Sequence, residues 1–452
     1  MSARLPHPLP VDIDADLPAH IGKYPVLRSL GTGSTSEVFL AHDEFRGMDV
    51  AIKRVRLDAM GDAREHHFQQ RFFAAEAALV GRLNHPNVVQ IFDAVPDVRE
   101  PYLVMEYVPG VTLRRFCRPN ALLPLAQVIE LGFKCAMALD YTFRLGLIHR
   151  DVKPANLLAV MDGDEVVDVK VSDFGSVFNF LADHTQVYRV GSLAYMSPEQ
   201  LDGDALDARS DIYSLAAVLY HLIAGRAPFD ATQQAAIMHQ IHHAEPPALA
   251  DLRSGVSPAL QALVARNLAK HRNDRHDDWP SFAQALSQLI SQGGVPRGPL
   301  QPLLDSERFN LLRGLEFFSG FGDVELWEVV HRATWRRHAY GDALYRKGDM
   351  GNSFHIIASG AIEVYRDGQR VAQLGAGTSV GEMAYLAPSP ELRTHGADVL
   401  VSQQAATISF TPQSLLQLSP TTRHLFDAAF IRVLVRRLHS AHEALHHPRR
   451  IL

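Results

Sequence analysis

The spacing of apolar residues changes near Leu125 and divides the first part of the chain into two regions. Before that point, short apolar runs bounded by turn residues predict strands, with one segment of helical spacing among them. Beyond it, apolar residues recur at helical spacing in three long segments. Strands first and helices afterwards predict an α+β unit with two lobes. The strand segments are 24–39, 48–57, 88–95 and 101–108, and the helical segments are 67–83, 125–146, 209–225 and 257–270.

A second pattern begins after a stretch rich in Gly and Pro at 292–307, which we interpret as a short linker. From Ala339 to Phe410, short apolar segments separated by glycine-containing turns predict a small antiparallel β-roll. Helical spacing at 326–335 and 422–447 predicts flanking helices. The predicted division is a flexible leader at 1–20, a two-lobed domain at 21–292, a linker at 293–308, a β-roll domain at 309–445 and a tail at 446–452.

Composition narrows the class of protein. Hydrophobic residues make up 47% of the 452 residues, which is enough to build full cores. No apolar run reaches the ~18 residues that cross a bilayer, and the N-terminus is unlike a signal peptide, so we expect a cytoplasmic protein without a membrane span. The net charge of −6 gives no reason to expect nucleic acid as a partner. Cys117 and Cys135 lie in apolar surroundings, which predicts reduced, buried thiols.

Three elements near the N-terminus suit the binding of phosphate groups. The segment GTGSTSEV at 31–38 joins two predicted strands, and glycine there lets backbone N–H groups approach phosphate oxygens. Lys53 on the next strand is placed to neutralise phosphate charge, and Glu76 on the following helix is placed to hold Lys53. Each signal is weak alone, because glycine hairpins and strand lysines are common.

The most specific signal is HRDVKPAN at 149–156, followed by SDFGS at 172–176. Within this short region Asp151, Asn156 and Asp173 supply hard oxygen ligands and a base. Phosphoryl transfer requires such groups, because Mg²⁺ bridges phosphates, a carboxylate orients the attacking hydroxyl and cations meet the developing charge. The sequence therefore indicates phosphoryl transfer.

Residues 21–292 resemble a eukaryotic-type protein kinase domain, because these elements and GSLAYMSPEQ at 191–200 follow that family's order and spacing. The resemblance implies a two-lobed fold that binds ATP and Mg²⁺ and phosphorylates protein substrates. Lys153, two residues after Asp151, is typical of the serine/threonine class. Ser36 stands at the third glycine of the phosphate loop and Ser192 at the usual threonine, and neither change removes a required group.

The same resemblance implies a role for each matching residue. Asp151 would be the catalytic base, Lys153 would steady the transferred phosphoryl group, and Lys53 would contact the phosphates while held by Glu76. The phosphate loop would be formed by Gly31, Gly33 and Ser36, and Mg²⁺ would be bound by Asn156 and Asp173. Adenine would be sandwiched by Val38, Ala51 and Leu158, with Met105 as the gatekeeper beside it and with backbone groups of Glu106 and Tyr107 offered by the hinge. Glu199, Arg275 and Asp211 match structural positions of the family.

Phosphorylation of the activation loop is a further expectation. In the family, an arginine at the position of Arg150 often meets a phosphorylated residue of that loop, and a phosphate adds about −1.5 to −2 charges. Thr185 is the site that we predict from its position. The alternative is a hydroxyl that only caps a turn or faces water.

Residues 309–445 resemble a cyclic-nucleotide-binding domain, on the segments GLEFFSGFGDVELWEVV, YGDALYRKGDMGNSFHIIASGAIEVY and LGAGTSVGEMAYL. The resemblance implies that Glu382, after Gly381, bonds the ribose 2′-hydroxyl and that Arg393, with Thr394, binds the cyclic phosphate of cyclic AMP or cyclic GMP. Eleven positions separate Glu382 from Arg393, and Pro388, Pro390 and Glu391 enlarge the loop between them. The alternative keeps Glu382 as a turn residue and Arg393 as a solvated charge.

These observations favour an ATP- and Mg²⁺-dependent serine/threonine protein kinase that its C-terminal domain regulates. Two alternatives remain. The C-terminal domain could be a ligand-free docking or homodimerisation module, or the whole chain could be a weakly active scaffold or sensor. The intact set of Lys53, Asp151, Asn156 and Asp173 argues against the scaffold.

Overall fold

The computed structural model of the chain describes residues 17–33, 36–56, 70, 73–96, 100–174, 178–179, 193–296, 304–387, 389 and 392–446. Contacts divide the chain into two compact units. The first contains Met1–Leu289 and Gly293–Pro296, and the second contains Ile290–Gln292 and Arg297–Leu452.

The first unit begins with an antiparallel sheet. Its strands are β1 (His20–Ile21), β2 (Tyr24–Thr32), β3 (Ser36–Asp43), β4 (Met48–Val55), β5 (Ile91–Val95) and β6 (Tyr102–Glu106), in the spatial order β1-β2-β3-β4-β6-β5. A short helix, α1 (73–77), lies between β4 and β5 in the sequence. One face of the sheet buries a cluster that includes Tyr24, Phe39, Val50, Ile52 and Val104. This sheet is the predicted strand-rich lobe.

The helical lobe is built around α2 (Leu125–Arg144) and α4 (Ala208–Ala224), which pack against each other. Gly132 makes the close crossing possible, since a Cβ there would lie 2.7 Å from Leu219 Cδ2. The α4 helix begins at the N-cap Asp207, which accepts a hydrogen bond from the backbone of Arg209, and ends at Gly225 in the left-handed conformation. The other helices are α3 (Pro198–Asp202), α5 (Gln234–His243), α6 (Leu249–Leu252), α7 (Pro258–Asn267) and α8 (Trp279–Ser291).

Two small sheets, one of three strands and one of two, hold the segments between the two lobes in place. A three-stranded sheet has the order β10-β9-β7, with β7 (Gly110–Thr112), β9 (Leu157–Asp162) and β10 (Glu165–Val171). A second pair joins β8 (Leu147–Ile148) to β11 (Phe178–Asn179). Because β8 leads into HRDVKPAN and β10 leads into SDFGS, these pairings place the two motifs side by side.

The second unit is an antiparallel roll with flanking helices. Its strands are β12 (Thr334–His338), β13 (Ala343–Tyr345), β14 (Phe354–Arg366), β15 (Gln369–Gly375), β16 (Ser379–Val380) and β17 (Asp398–Phe410). The main order is β12-β17-β14-β15, while β13 pairs with β17 and β16 with β14. The helices are α9 (Asp305–Gly314), α10 (Asp323–Arg332), α11 (Glu382–Tyr385), α12 (Pro412–Leu416) and α13 (Pro420–His446).

Aromatic side chains attach the last helix to this roll. Phe426 of α13 lies 4.9 Å from Phe410 and 5.3 Å from Phe321, measured between ring centroids. Phe430, one turn further, lies 4.8 Å from Phe354 of β14. Such edge-to-face contacts stabilise the packing of a helix by more than the burial of apolar surface alone. The first half of α13 is therefore part of the roll's core.

The predicted α+β fold, two lobes followed by an antiparallel β-roll, is confirmed, but several boundaries differ. The helix predicted at 326–335 ends at Arg332, and Thr334 already pairs with Ser409 in the roll. The helix predicted at 67–83 gives way to turns after Ala77. The α9 helix starts inside the predicted linker, at Asp305, and His20, in the predicted leader, pairs with Pro25. At Thr334 and His20, strand pairing overrides the local pattern.

No helix among the described residues has the length and apolar character required to cross a bilayer.

A buried ion pair stabilises the helical lobe. Arg275 is fully buried, and its guanidinium donates to both carboxylate oxygens of Glu199, at 2.7 and 2.9 Å. It also donates to the backbone carbonyl oxygens of Ala269, Arg209 and Lys270. The arginine thus joins the start of α3 to the segment that precedes α8.

We predict that Arg275→Met lowers the free energy of unfolding of the first unit by about 3–5 kcal/mol, because Glu199 is left as a buried charge without its partner. Urea unfolding, monitored by hydrogen-exchange mass spectrometry of peptides from residues 193–289, measures this loss of stability. The matched control is Arg272→Met, whose partner Asp207 is partly exposed and lies 3.7 Å away, with an expected loss below about 1 kcal/mol. Equal losses in the two variants would contradict the prediction.

Candidate functional site

The register of the first sheet places four of the predicted site residues on one face. Ala51 and Lys53 are two residues apart on β4, so their side chains point to the same side. Val38 lies directly opposite Lys53, and Met105 lies opposite Ala51. Val38 and Met105 are half-buried, although both are apolar. This face therefore offers an apolar surface beside a lysine.

Lys53 is held between two carboxylates from different segments. Its Nζ donates to Glu76 of α1 at 2.9 and 3.1 Å and to Asp173 at 2.5 Å. The predicted pair of Lys53 and Glu76 is thus present in the structure, and Asp173 is a third member that sequence spacing did not pair with the lysine. One ammonium group draws β4, α1 and the SDFGS segment together.

The protonation states within this triad follow from charge and burial. Burial alone would lower the pKa of Lys53. The charges and hydrogen bonds of Asp173 and Glu76 outweigh the effect of burial, so the pKa of Lys53 is raised. Lys53 in turn lowers the pKa of Asp173 to about 2. Burial raises the pKa of Glu76, and Asp173 adds to this effect while Lys53 opposes it. The lysine stays protonated, and Asp173 stays ionised at neutral pH.

Asp211 of α4 fixes the backbone of the HRDVKPAN segment. Its carboxylate is buried and accepts hydrogen bonds from the backbone N–H groups of His149 at 2.7 Å and Arg150 at 2.8 Å. Arg150 adopts a φ of 67°, which is rare for a side-chain-bearing residue. The two hydrogen bonds from Asp211 hold that conformation.

Two side chains of this segment contact the carboxylate of Asp151. Lys153 Nζ lies 2.6 Å from Asp151 Oδ2, and Asn156 Nδ2 donates to the same oxygen at 3.0 Å. Asn156 also donates to the backbone carbonyl of Asp151 at 2.9 Å. Asp151 Oδ1 is buried and accepts no hydrogen bond from the described residues. The Asp151 carboxylate thus keeps one oxygen for a further donor.

His149 links this segment to the one that carries Asp173. Its Nε2 lies 3.1 Å from the carbonyl oxygen of Ser172, and its ring packs against Phe174 at 5.0 Å. Ser172 N donates to the carbonyl of Asn156 at 2.9 Å. Asp173, between these anchored neighbours, has a φ of 67°. This backbone arrangement brings Asp173 to the same site as Asp151 and Asn156.

The donor atoms of this site suit Mg²⁺. The amide nitrogen of Asn156 is used by Asp151, so its oxygen is the atom left for a cation, and Asp173 supplies an ionised carboxylate. Mg²⁺ commonly takes only one or two protein oxygens together with substrate phosphates. The residues present therefore fit a metal that is shared with a nucleotide.

The remaining residues of the predicted nucleotide site lie around this centre. Gly31 and Thr32 are the last two residues of β2. The backbone N–H of Gly33 donates to the carbonyl of Ser36 at 2.7 Å. Residues 34–35 lie outside the described residues. Leu158 lies on β9, half-buried. Glu106 N donates to the carbonyl of Gln90.

The side chains of Glu106 and Tyr107, at the end of β6, already have partners within the protein. The carboxylate of Glu106 pairs with Lys170 at 2.9 Å, and the hydroxyl of Tyr107 accepts from Arg28 at 3.2 Å. A nucleotide contact through the backbone of Glu106 and Tyr107 stays a prediction. Thr185 and Ser192 lie outside the described residues.

The second unit contains a cavity of about 770 Å³, within the range of small-ligand sites. Gly381, Glu382 and Thr394 line it, as the predicted nucleotide pocket requires. Arg393 does not line the cavity: its side chain is exposed, and its Nε donates to the carbonyl of Ala387 at 3.3 Å. The structure thus brings together three of the four residues predicted for this pocket and leaves the arginine outside.

Another arginine occupies the cavity. Arg437 of α13 donates to Glu382 Oε1 and, at 2.7 Å, to the carbonyl of Ser379. Glu382 is 1% exposed, so burial raises its pKa and Arg437 opposes that rise. No spacing rule connects two residues that are 55 positions apart, and sequence reasoning missed this pair.

Comparison with known proteins identifies the families. Residues 24–288 match the protein kinase domain family, and residues 335–419 match the cyclic nucleotide-binding domain family. The chain is 36% identical over 304 residues to serine/threonine-protein kinase PknB of Mycobacterium leprae, an alignment that covers 65% of this chain and 47% of the relative. PknB of Mycolicibacterium smegmatis is 37% identical over 305 residues, with the same two shares.

A third relative is the probable serine/threonine-protein kinase SCO3848 of Streptomyces coelicolor. It is 37% identical over 301 residues, which are 62% of this chain and 43% of the relative. The chain thus spans about half the length of the relatives that it matches. Since the kinase match alone covers more than half of the chain, the protein belongs to the protein kinase family.

Proposed function

We propose that the protein is a serine/threonine protein kinase that transfers the γ-phosphoryl group of ATP to hydroxyl groups of protein substrates. One observation carries the proposal: Lys53, Glu76 and Asp173 form one ion-pair group, while Asp151, Lys153 and Asn156 form another in the neighbouring segment. These are the cations, metal-binding oxygens and base that phosphoryl transfer needs. The names of the relatives support the serine/threonine class, as does Lys153 two positions after Asp151.

Each residue has a distinct task in the proposed reaction. Asp151 accepts the proton of the substrate hydroxyl through Oδ1, the buried oxygen that accepts no hydrogen bond from the described residues, while the hydroxyl oxygen forms a bond to the γ-phosphorus. The bond between the γ-phosphorus and the β,γ-bridging oxygen breaks, and ADP leaves with that oxygen. Lys153 and Lys53 balance negative charge on either side of the transferred group. Bound Mg²⁺ would supply charge neutralisation at the phosphates, and Asn156 and Asp173 would hold it.

We further propose that the second unit regulates the kinase by binding cyclic AMP or cyclic GMP. The family match at 335–419 and the cavity beside Glu382 support this. The exposed position of Arg393 favours a second candidate, a docking or dimerisation module without a nucleotide. The domain limits 21–292 and 309–445, the cytoplasmic location and the lack of a nucleic-acid partner remain predictions from the sequence.

We predict that Asp151→Asn lowers kcat for protein phosphorylation by about 10²- to 10⁴-fold, because the amide cannot accept the hydroxyl proton. Transfer of ³²P from labelled ATP to a peptide library with serine, threonine and tyrosine acceptors measures the rate and the acceptor class. Asp204→Asn, at an exposed turn of the same unit, is the matched control and should retain full activity. Equal rates for the two variants would refute the enzyme assignment, and a tyrosine-only signal would refute the acceptor class.

Thr185 is the predicted autophosphorylation site. After incubation with ATP and Mg²⁺, mass spectrometry should find phosphate at Thr185, and Thr185→Val should lower the activity because the added negative charge no longer orders the activation loop. Thr232→Val, in the segment before α5, is the control and should leave activity unchanged. Full activity in protein whose Thr185 carries no phosphate would exclude this role.

If the second unit regulates the kinase as proposed, the rate of phosphorylation should change when a cyclic nucleotide is added. The coupling between two sites is typically about 1–3 kcal/mol, which corresponds to about 5- to 150-fold. Initial rates of the full chain at increasing cyclic AMP or cyclic GMP measure it, with adenosine as the uncharged control compound. Rates that stay constant while calorimetry detects no binding would favour the docking module instead.

A further inference from the structure

The segment after Arg393 forms one wall of the cavity in the second unit. Its backbone is fixed by hydrogen bonds to 348–351: Gly351 N donates to the carbonyl of Arg393 at 2.7 Å, and Gly348 N donates to that of His395 at 2.8 Å. His395 N in turn donates to the carbonyl of Asp349. In this pairing Leu392, Thr394 and His395 line the cavity, while Arg393 is exposed and does not line it.

His395 is the ionisable side chain of this wall. It is 8% exposed, lines the cavity and stacks on Tyr345 with ring centroids 3.8 Å apart. Its ring nitrogens make no hydrogen bond with any part of the chain that the structure describes. A buried imidazole without a partner at a cavity wall is a group available to a ligand.

The surroundings fix the position of the His395 ring. The hydroxyl of Tyr345, on which it stacks, contacts His355 Nδ1 at 2.6 Å and the carbonyl of Ser353 at 3.1 Å. A Cβ on Gly351 would lie 3.2 Å from His395 Cε1 and 2.4 Å from the Ala384 side chain, so glycine is needed there. The ring is thus held by a tyrosine on one side and by close backbone on another.

Burial leaves His395 neutral when no ligand is bound. Burial lowers the pKa of His395, and Asp349 opposes this only in part. The carboxylate of Glu382 is already matched by Arg437. Burial also lowers the pKa of the neighbouring His355, to about 4, so that ring is neutral as well. Among the described residues, the titratable and charged groups that line the cavity with His395 are Tyr345, Arg366, Glu382 and Arg437. Asp349 and His355 interact with His395 but do not line the cavity.

We propose that His395, rather than Arg393, is the anion contact of this cavity and that a phosphate-bearing ligand binds there with uptake of a proton. The inference rests on the proposed nucleotide site and names its phosphate-binding residue. Neutral imidazole can offer one N–H to a phosphate oxygen, whereas imidazolium offers two N–H groups and a charge. Thr394, also on this wall, adds a hydroxyl donor.

The direction of the pH dependence follows because protonation of His395 and binding of the ligand are linked equilibria. Without ligand, the lowered pKa keeps His395 unprotonated near pH 7. An anion beside the ring favours imidazolium and raises the pKa in the complex. Affinity therefore increases as pH falls from about 8 to about 6, by up to about tenfold per pH unit where one proton is taken up.

Calorimetric titration of the full chain with cyclic AMP and with cyclic GMP tests this proposal. Each titration is run at pH 6, 7 and 8 in two buffers of different ionisation enthalpy, because the difference in observed heat counts the protons taken up. This measurement needs no variant, so it does not depend on the folding of a mutant. We expect proton uptake approaching one at pH 7 and tighter binding at the lower pH.

Variants identify the residue that takes up the proton. His395→Gln keeps a hydrogen-bond donor without the charge, so it should weaken binding at pH 6 by about 10- to 100-fold and abolish the proton uptake. His424→Gln, on the exposed side of α13, is the matched control and should bind as the unchanged protein does. Arg393→Gln should change affinity less than about threefold, because that side chain lies outside the cavity.

The outcomes separate this inference from the proposed function. Binding without proton uptake, or binding that Arg393→Gln abolishes and His395→Gln preserves, overturns the role of His395 and leaves nucleotide regulation intact. No binding of either nucleotide at any pH overturns both. Proton uptake that survives in His395→Gln also contradicts the proposal, since another group would then carry the proton.

Discussion

A single lysine between two carboxylates determines how the kinase site is assembled. Lys53 is shared by Glu76 and Asp173: it lowers the pKa of Asp173, while burial raises the pKa of Glu76. These contacts join three segments that are distant in sequence, and each depends on the same ammonium group for its position. In the proposed reaction a nucleotide would add negative charge here, which Mg²⁺ and the second lysine, Lys153, would offset.

Backbone conformation provides the second constraint. Arg150 and Asp173 both have φ near 67°, a region that costs side-chain-bearing residues free energy. Around Arg150 the strain is offset by the hydrogen bonds that Asp211 accepts, and around Asp173 by the bonds of Ser172 and the packing of Phe174 on His149. The HRDVKPAN and SDFGS segments are therefore positioned by the buried helical lobe, which the pair of Glu199 and Arg275 stabilises.

The sequence predicted the kinase site better than it predicted the cavity of the second unit. Motifs such as HRDVKPAN work because each residue acts within a short segment of fixed geometry, so type and spacing nearly determine position. The direction of Arg393 depends instead on pairing with 348–351, and Arg437 reaches Glu382 from a helix 55 residues away. Helix ends behaved similarly: Thr334 continues a helical pattern, yet its pairing with Ser409 places it in a strand.

The internal charge balance of the second unit limits what its cavity can bind. Arg437 and Glu382 neutralise each other there, so the pair offers little net attraction to an anion. If the arginine left Glu382 to meet a phosphate, it would expose a buried carboxylate, which is costly. A histidine avoids this cost because it is neutral in the empty cavity and acquires its charge only when an anion is present. Ligand binding in such a cavity is then controlled by pH as well as by ligand concentration, and α13, which carries Arg437, forms part of the same electrostatic unit.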